Sequence, residues 1–203
     1  MPGFTPELRD SLILFFLLVG FLQLYYLSCY LFPMLTIYYP HGFIAHMSFY
    51  VAEFITLCLY VKFVKKSSFS DLFRRLGKWR RYCLVGFLLA IFHNVIDLTV
   101  SGGLRGFILP IYIHLPVYFL AYLLISVSEE GVFRGCILGG LLKRYGVTTS
   151  IVLSSLLFGL YHFGYPSILY GLQGAIMTAS HMFYSFTVGL FLGYFYHKTA
   201  GTF

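Results

Sequence analysis

Four ionisable side chains in the second half of the chain have the types and spacing of an acid–base pair with a supporting ion pair. Glu129 and Glu130 are adjacent and follow an apolar run that ends at Val127. Arg134 comes four residues after Glu130, so on a helix the two share a face and can form an ion pair. Glu129 points about 100° away around the same helix and is left to face another group. His162, at the end of the next apolar run, is the natural partner for Glu129.

The chemistry that this set predicts is activation of a water molecule. A charged side chain in a bilayer core costs at least ~2.5–3.5 kcal/mol, so one that persists there usually has a partner or a function. A glutamate and a histidine around one water can deprotonate it for attack on a peptide carbonyl and then protonate the leaving amine. The competing interpretation of His162 is a histidine that only forms a hydrogen bond between helices.

Composition places these residues in a membrane protein. Of 203 residues, 59% are apolar and 10% are charged, whereas soluble domains carry roughly 25% charged residues. A span needs about 20 largely apolar residues, and the hydrophobic runs provide about six. The candidate spans are residues 11–32, 43–64, 82–100, 107–127, 148–163 and 180–198. The fourth is expected to continue, after a break, into a helix near 128–144.

The sequence therefore predicts an all-α fold, a polytopic integral membrane bundle of about six transmembrane helices. We expect a single membrane domain over 1–203, with N-terminal spans in 1–106 and a catalytic-like core in 107–203. Small residues at four-residue spacing let helices approach closely. Gly131, Gly135 and Gly139 follow that spacing and predict that the helix with the two acids is buried, and Gly189 and Gly193 predict a second close contact.

Positive charge is concentrated between residues 62 and 81, in a loop between predicted spans. The positive-inside rule puts this loop and the N-terminus in the cytoplasm. The alternative, nucleic-acid binding, is disfavoured because apolar spans flank the basic run. We expect a multi-pass protein of a prokaryotic plasma membrane that contacts membrane lipid and a peptide or protein substrate at the membrane, and no nucleic acid.

Two short patterns carry a resemblance to a known family. Residues 129–134 read EEGVFR, which fits EExxxR, and residues 158–162 read FGLYH, which fits FxxxH. In this order on successive helices they resemble the CAAX-processing and bacteriocin-self-immunity (CPBP) family of intramembrane endopeptidases, over roughly residues 117–202. The resemblance implies a glutamate-dependent protease for membrane-associated or prenylated substrates. It also implies that Glu129 and His162 activate water and that Arg134 holds Glu130.

The family's oxyanion-binding residues have no evident match. Members usually carry a further helix with a second histidine and an Asn or Asp four residues later, and that helix is expected where this sequence ends, at Phe203. Substitute candidates for contacts to substrate or oxyanion are Phe158, His93, Asn94 and His181. An interhelical hydrogen-bond cluster is the alternative for the two residues of the third span. Glu53, in the middle of the second span, is interpreted as structural or interfacial.

No metal site or other cofactor is predicted. Catalytic zinc needs three protein ligands and an open position, which Glu129, Glu130 and His162, with His181 in reserve, could supply; however, the sequence has no HExxH motif. A glutamic-type protease is therefore favoured over a metalloprotease. A catalytically inactive relative, acting as a membrane binding, scaffold or immunity protein, is the alternative. A small transporter is a third hypothesis, disfavoured because the two halves show no repeat.

Overall fold

The computed structural model describes residues 6–31, 41–68, 120, 123–163 and 171–200, and within these ranges its regular elements are helices without any strand. Helix α1 spans Pro6–Leu31. Helix α2 spans His41–Leu59 and ends in a wide π-helical turn at Tyr60–Val64. Helix α3 covers residues 123–142. Helix α4 spans Val147–Tyr161, and α5 spans Gly171–Ala200. The all-helical part of the predicted fold is confirmed for this portion of the chain.

Helices α1 and α5 contain segments that are long and apolar enough to cross a membrane, Leu8–Ser28 and Gly171–Lys198. Their outward side chains are large and apolar, with Leu172 79% exposed and Phe183 71% exposed. Water penalises such a surface, whereas hydrocarbon does not. Helix α4 is apolar but shorter. These features agree with a helical membrane protein, and the count of six spans stays a prediction.

Two predicted boundaries were wrong. Helix α5 begins at Gly171 rather than near residue 180. The prediction missed its first turns because they contain polar residues, which interrupt the apolar run. Gly171 has a φ of +71°, a backbone conformation that glycine adopts without steric cost. Helix α3 also shows no break near residue 128 and is continuous from 123 to 142. The predicted span 82–100 and most of 107–127 lie outside the described residues.

Helix α3 is the central helix of the described bundle and changes its winding where the acids end. Its middle segment, Gly131–Leu138, is a π-helix, in which hydrogen bonds run from residue i to i+5 and each turn is wider. Val132, Phe133 and Cys136 in this segment are fully buried. The predicted burial of this helix is confirmed. At Gly139, however, the nearest atom to an added Cβ would belong to the helix's own Arg134 carbonyl, so this glycine does not mark a close helix contact.

Short polar contacts tie the neighbouring helices to α3. Ser154 Oγ on α4 donates a hydrogen bond to the Phe133 carbonyl at 3.0 Å. Lys65 Nζ, just after α2, donates to the Gly135 carbonyl at 3.1 Å. On the α1 side the contact is apolar, since the rings of Phe15 and Phe133 pack edge to face with centroids 6.2 Å apart. Helix α3 is thereby held by α1, α2 and α4.

Helices α4 and α5 pack directly along each other through glycines. A Cβ at Gly189 would lie 3.1 Å from the Ser155 Cα, and one at Gly193 would lie 3.1 Å from Ile151 Cγ2. The predicted close contact at Gly189 and Gly193 is therefore confirmed. Gly159 on α4 is the tightest of these positions, because its added Cβ would lie 2.9 Å from the Met182 carbonyl oxygen.

The Gly159→Ala variant is expected to be destabilised by roughly 1–3 kcal/mol, because a backbone atom cannot move aside as a side chain can. The measurement is the free energy of unfolding in detergent. The matched control is Gly20→Ala on α1, where nothing lies within 4 Å of the added Cβ. It should be neutral or stabilising by up to about 1 kcal/mol, since alanine favours helix. Equal stability of the two variants would contradict the tight α4–α5 contact.

Candidate active site

Glu129 and His162 face each other across the contact between α3 and α4. Glu129 precedes the π-helical segment of α3, and His162 directly follows the last residue of α4. The distance from His162 Nε2 to Glu129 Oε1 is 3.8 Å, and both side chains are 18% exposed. The sequence placed these residues on successive helices and expected them to meet. That expected proximity is confirmed.

The hydrogen bond of His162 determines which ring nitrogen faces Glu129. His162 Nδ1 lies 2.8 Å from the Phe158 carbonyl oxygen, one helical turn earlier. A carbonyl only accepts hydrogen bonds, so Nδ1 carries the hydrogen. In the neutral ring Nε2 then carries the lone pair, and this atom lies 3.8 Å from Glu129 Oε1. The four-residue spacing of the FxxxH pattern is what brings Nδ1 to that carbonyl.

Glu130 and Arg134 form the ion pair that their spacing predicted. Arg134 NH1 lies 3.3 Å from Glu130 Oε1, with the arginine side chain 2% exposed and the glutamate side chain 35% exposed. The guanidinium also lies over the ring of Phe158, 4.5 Å from its centroid, where the face of the ring attracts a cation. A buried guanidinium is thus held by one carboxylate and one aromatic ring.

Phe158 connects the two pairs. Its ring packs edge to face against the ring of His162, with centroids 4.7 Å apart, and against Phe133 at 4.9 Å. Because the same ring supports the Arg134 guanidinium, it lies between the arginine and the histidine. The sequence made Phe158 a candidate for contact with substrate. The structure places its side chain, buried, among residues of the site itself.

The remaining predicted residues fall into two groups. His181 on α5 is exposed, and its ring centroid lies 5.0 Å from that of His162, so α5 brings a second imidazole to the site. His93 and Asn94 lie outside the described residues. Among the residues that the structure describes, no three His, Cys, Asp or Glu side chains are grouped so as to hold a metal ion. The set considered from the sequence, Glu129, Glu130 and His162, is not such a group, and the expected absence of a cofactor stays a prediction.

The site includes a buried pair that the sequence did not indicate, Glu53 and Tyr161. The Tyr161 hydroxyl donates a hydrogen bond to Glu53 Oε1 at 3.1 Å, and the two residues are 3% and 2% exposed. Glu53 also interacts electrostatically with Glu129. The signal that could have identified Glu53 was the energetic cost of a single acid in the middle of a predicted span. No partner close in sequence supported that signal, so it was interpreted as structural or interfacial.

The all-helical fold and the partly buried acid–histidine pair agree with a helical membrane protein. Residues 110–203 match the family model described as type II CAAX prenyl endopeptidase Rce1-like. This stretch is therefore a domain of the CAAX-processing family, as the two motifs indicated. It includes α3, α4 and α5 with all five motif residues, and it leaves α1 and α2 outside. Comparison with curated proteins and with solved structures gave no match.

Proposed function

We propose that the protein is an intramembrane endopeptidase that hydrolyses peptide bonds of membrane-associated or prenylated substrates with a glutamate-activated water. The observation that carries the proposal is the distance of 3.8 Å between Glu129 Oε1 and His162 Nε2, the ring nitrogen that carries no hydrogen in the neutral ring. The pair lies within the stretch that matches a family of CAAX endopeptidases, which are integral membrane proteases. The glutamate and the histidine come from different helices, so the bundle must be folded for the pair to form.

The separation of the pair suits one bound water. At 3.8 Å the two atoms are too far apart for a direct hydrogen bond, but one water can hydrogen-bond to both. In the proposed step Glu129 takes a proton from the water, while His162 Nε2 accepts its second hydrogen and orients it. The water oxygen bonds to the carbonyl carbon of the substrate. The carbon–nitrogen bond then breaks, and the leaving amine takes the proton from Glu129.

The other residues of the site are given supporting roles. Arg134 engages Glu130 and rests on Phe158, so Glu129 is left for the water. His181 lies beside His162. Of the residues that the structure describes, it is our candidate for a contact to the developing oxyanion. His93 and Asn94 keep that candidacy as predictions. The proposed step uses a glutamate and a histidine, and it gives no role to a metal.

We also propose the orientation that the charges imply, with the N-terminus and segment 62–81 in the cytoplasm. Lys65 contacts the Gly135 carbonyl, and Lys143 and Arg144 follow the end of α3. Basic residues of two separate segments therefore lie along the same half of α3. Glu129 precedes Gly135 by six residues on this helix, so the pair lies further from its basic end than Lys65 does.

The test is proteolysis in reconstituted vesicles, using a panel of transmembrane and prenylated peptides. The wild-type chain is expected to cleave at least one peptide, and the Glu129→Ala and His162→Ala variants are not. A chelator should leave the wild-type rate unchanged if the protease is of the glutamic type. Asp10→Ala is the control, because Asp10 is an acid on α1 outside the site, paired with Arg9.

Two outcomes would overturn the proposal. The first is a folded wild-type chain that cleaves no peptide of the panel, which would favour a binding protein. The second is a Glu129→Ala variant that cleaves as fast as the wild type.

A further inference from the structure

The buried carboxylate of Glu53 belongs to a part of the chain outside the matched domain, yet it reaches the site. Glu53 lies on α2, and residues 110–203 carry the family match. Its Oε1 atom accepts the hydrogen bond from Tyr161. Its Oε2 atom is buried and has no hydrogen-bond partner in the part of the chain that the structure describes. One oxygen is thus fixed and the other is unsatisfied.

The Glu53 carboxyl group, buried with one unsatisfied oxygen, is expected to lower the stability of the folded protein. A carboxyl group buried with only one hydrogen bond is less stable than an apolar side chain of similar size. Acids inside membrane helices are rare for this reason, and those that occur usually serve a function through a definite partner. The definite partner here is Tyr161, which is 3% exposed.

Tyr161 connects Glu53 to the reacting pair. It is the last residue of α4 and directly precedes His162, and the two rings pack edge to face with centroids 5.4 Å apart. The same tyrosine ring packs against Phe133 on α3, at 5.4 Å. A hydrogen bond on its hydroxyl therefore restrains the last residue of α4, which directly precedes His162.

We propose that Glu53 is a positioning residue of the active site, whose hydrogen bond from Tyr161 fixes the end of α4 and so holds His162 opposite Glu129. This inference rests on the proposed function. It makes α2 a functional part of the protease although α2 lies outside the matched stretch. Misplacing a reacting group by about 1 Å can lower a rate by roughly 10²-fold, so a bond at this position can control turnover without touching the substrate.

The test compares three variants in the reconstituted cleavage assay. Tyr161→Phe removes the hydroxyl and keeps the ring, and Glu53→Leu removes the acceptor. Each is expected to lower kcat by roughly tenfold to 10²-fold with KM nearly unchanged. Glu53→Gln retains a carbonyl acceptor and should recover kcat at least about tenfold relative to Glu53→Leu. Tyr184→Phe, at an exposed tyrosine of α5, is the matched control for loss of a hydroxyl and should cleave as the wild type does.

Combining the variants separates positioning from a general loss of stability. If both side chains act through one bond, the double variant Tyr161→Phe/Glu53→Leu should have the kcat of the slower single variant and not the product of the two losses. Melting temperatures in detergent are recorded beside each rate, and Tyr161→Phe should remain folded. A Tyr161→Phe variant with wild-type kcat, beside an inactive Glu129→Ala variant, would overturn the positioning role of Glu53 and leave the proposed function standing. A wild-type chain that cleaves nothing would overturn the proposed function and this inference with it.

Discussion

The Glu129→Gln variant is expected to lose roughly 10²–10⁴-fold in kcat, the contribution that a general base usually makes. Glutamine has nearly the same size and shape as glutamate, but its amide cannot take a proton from water. Glu129 lies 3.8 Å from His162 Nε2, and an amide in its place could still hydrogen-bond to the water of the proposed step. KM should change little, because binding of the peptide does not depend on the proton transfer. Steady-state cleavage of one fluorogenic peptide in vesicles measures both constants.

The neighbouring glutamate provides the matched control. Glu130→Gln makes the same chemical change one residue along the helix, but there the side chain meets Arg134 and not His162. The amide carbonyl oxygen keeps a partial negative charge facing the guanidinium, so kcat should stay within about tenfold of wild type. Equal losses for the two variants would show that the acids act as one unit. A larger loss at Glu130 would exchange the roles assigned here.

The parts of the site that could be predicted from sequence are those set by helical spacing. The pairing of Glu130 with Arg134 depends on two positions four apart, and it survives even though α3 is π-helical there. The orientation of His162 depends on the Phe158 carbonyl, again four residues away. Hydropathy likewise located α1, α2 and α4, because a long apolar run is a direct physical requirement of a membrane helix.

The parts that could not be predicted depend on tertiary packing. Glu53 and Tyr161 are 108 positions apart, and no local pattern relates them. The π-helical winding of Gly131–Leu138 lengthens the hydrogen-bond spacing from four residues to five, and no pattern in the sequence predicted it. The start of α5 was missed for a third reason, since Gln173, Thr178 and His181 interrupt its apolar character. For the Glu53–Tyr161 pair, helix packing and not local sequence determined the result.

The buried ion pair leads to a prediction about stability, in which the two partners are not equivalent. Arg134 is 2% exposed, whereas the Glu130 side chain is 35% exposed. Glu130→Leu therefore leaves a buried guanidinium without its nearest carboxylate, which is expected to cost roughly 3–5 kcal/mol of unfolding free energy. Arg134→Leu should cost less, because the glutamate left behind can reach solvent. Unfolding in detergent, followed by loss of helical signal, measures both.

The double variant Glu130→Leu/Arg134→Leu decides whether the loss comes from an unpaired charge or from poorer packing. Replacing both members of a buried pair with apolar residues is often neutral or stabilising, so the double variant should be more stable than Glu130→Leu alone. The exposed pair of Arg9 and Asp10 is the control, and Asp10→Ala should cost less than about 1 kcal/mol. A Glu130→Leu variant no less stable than Asp10→Ala would contradict the buried-charge argument. The expected order, from most to least stable, is the double variant, Arg134→Leu and Glu130→Leu. That order would establish that α3 tolerates its buried cation only while Glu130 neutralises it. Glu129 is then the acid that is available to bind water.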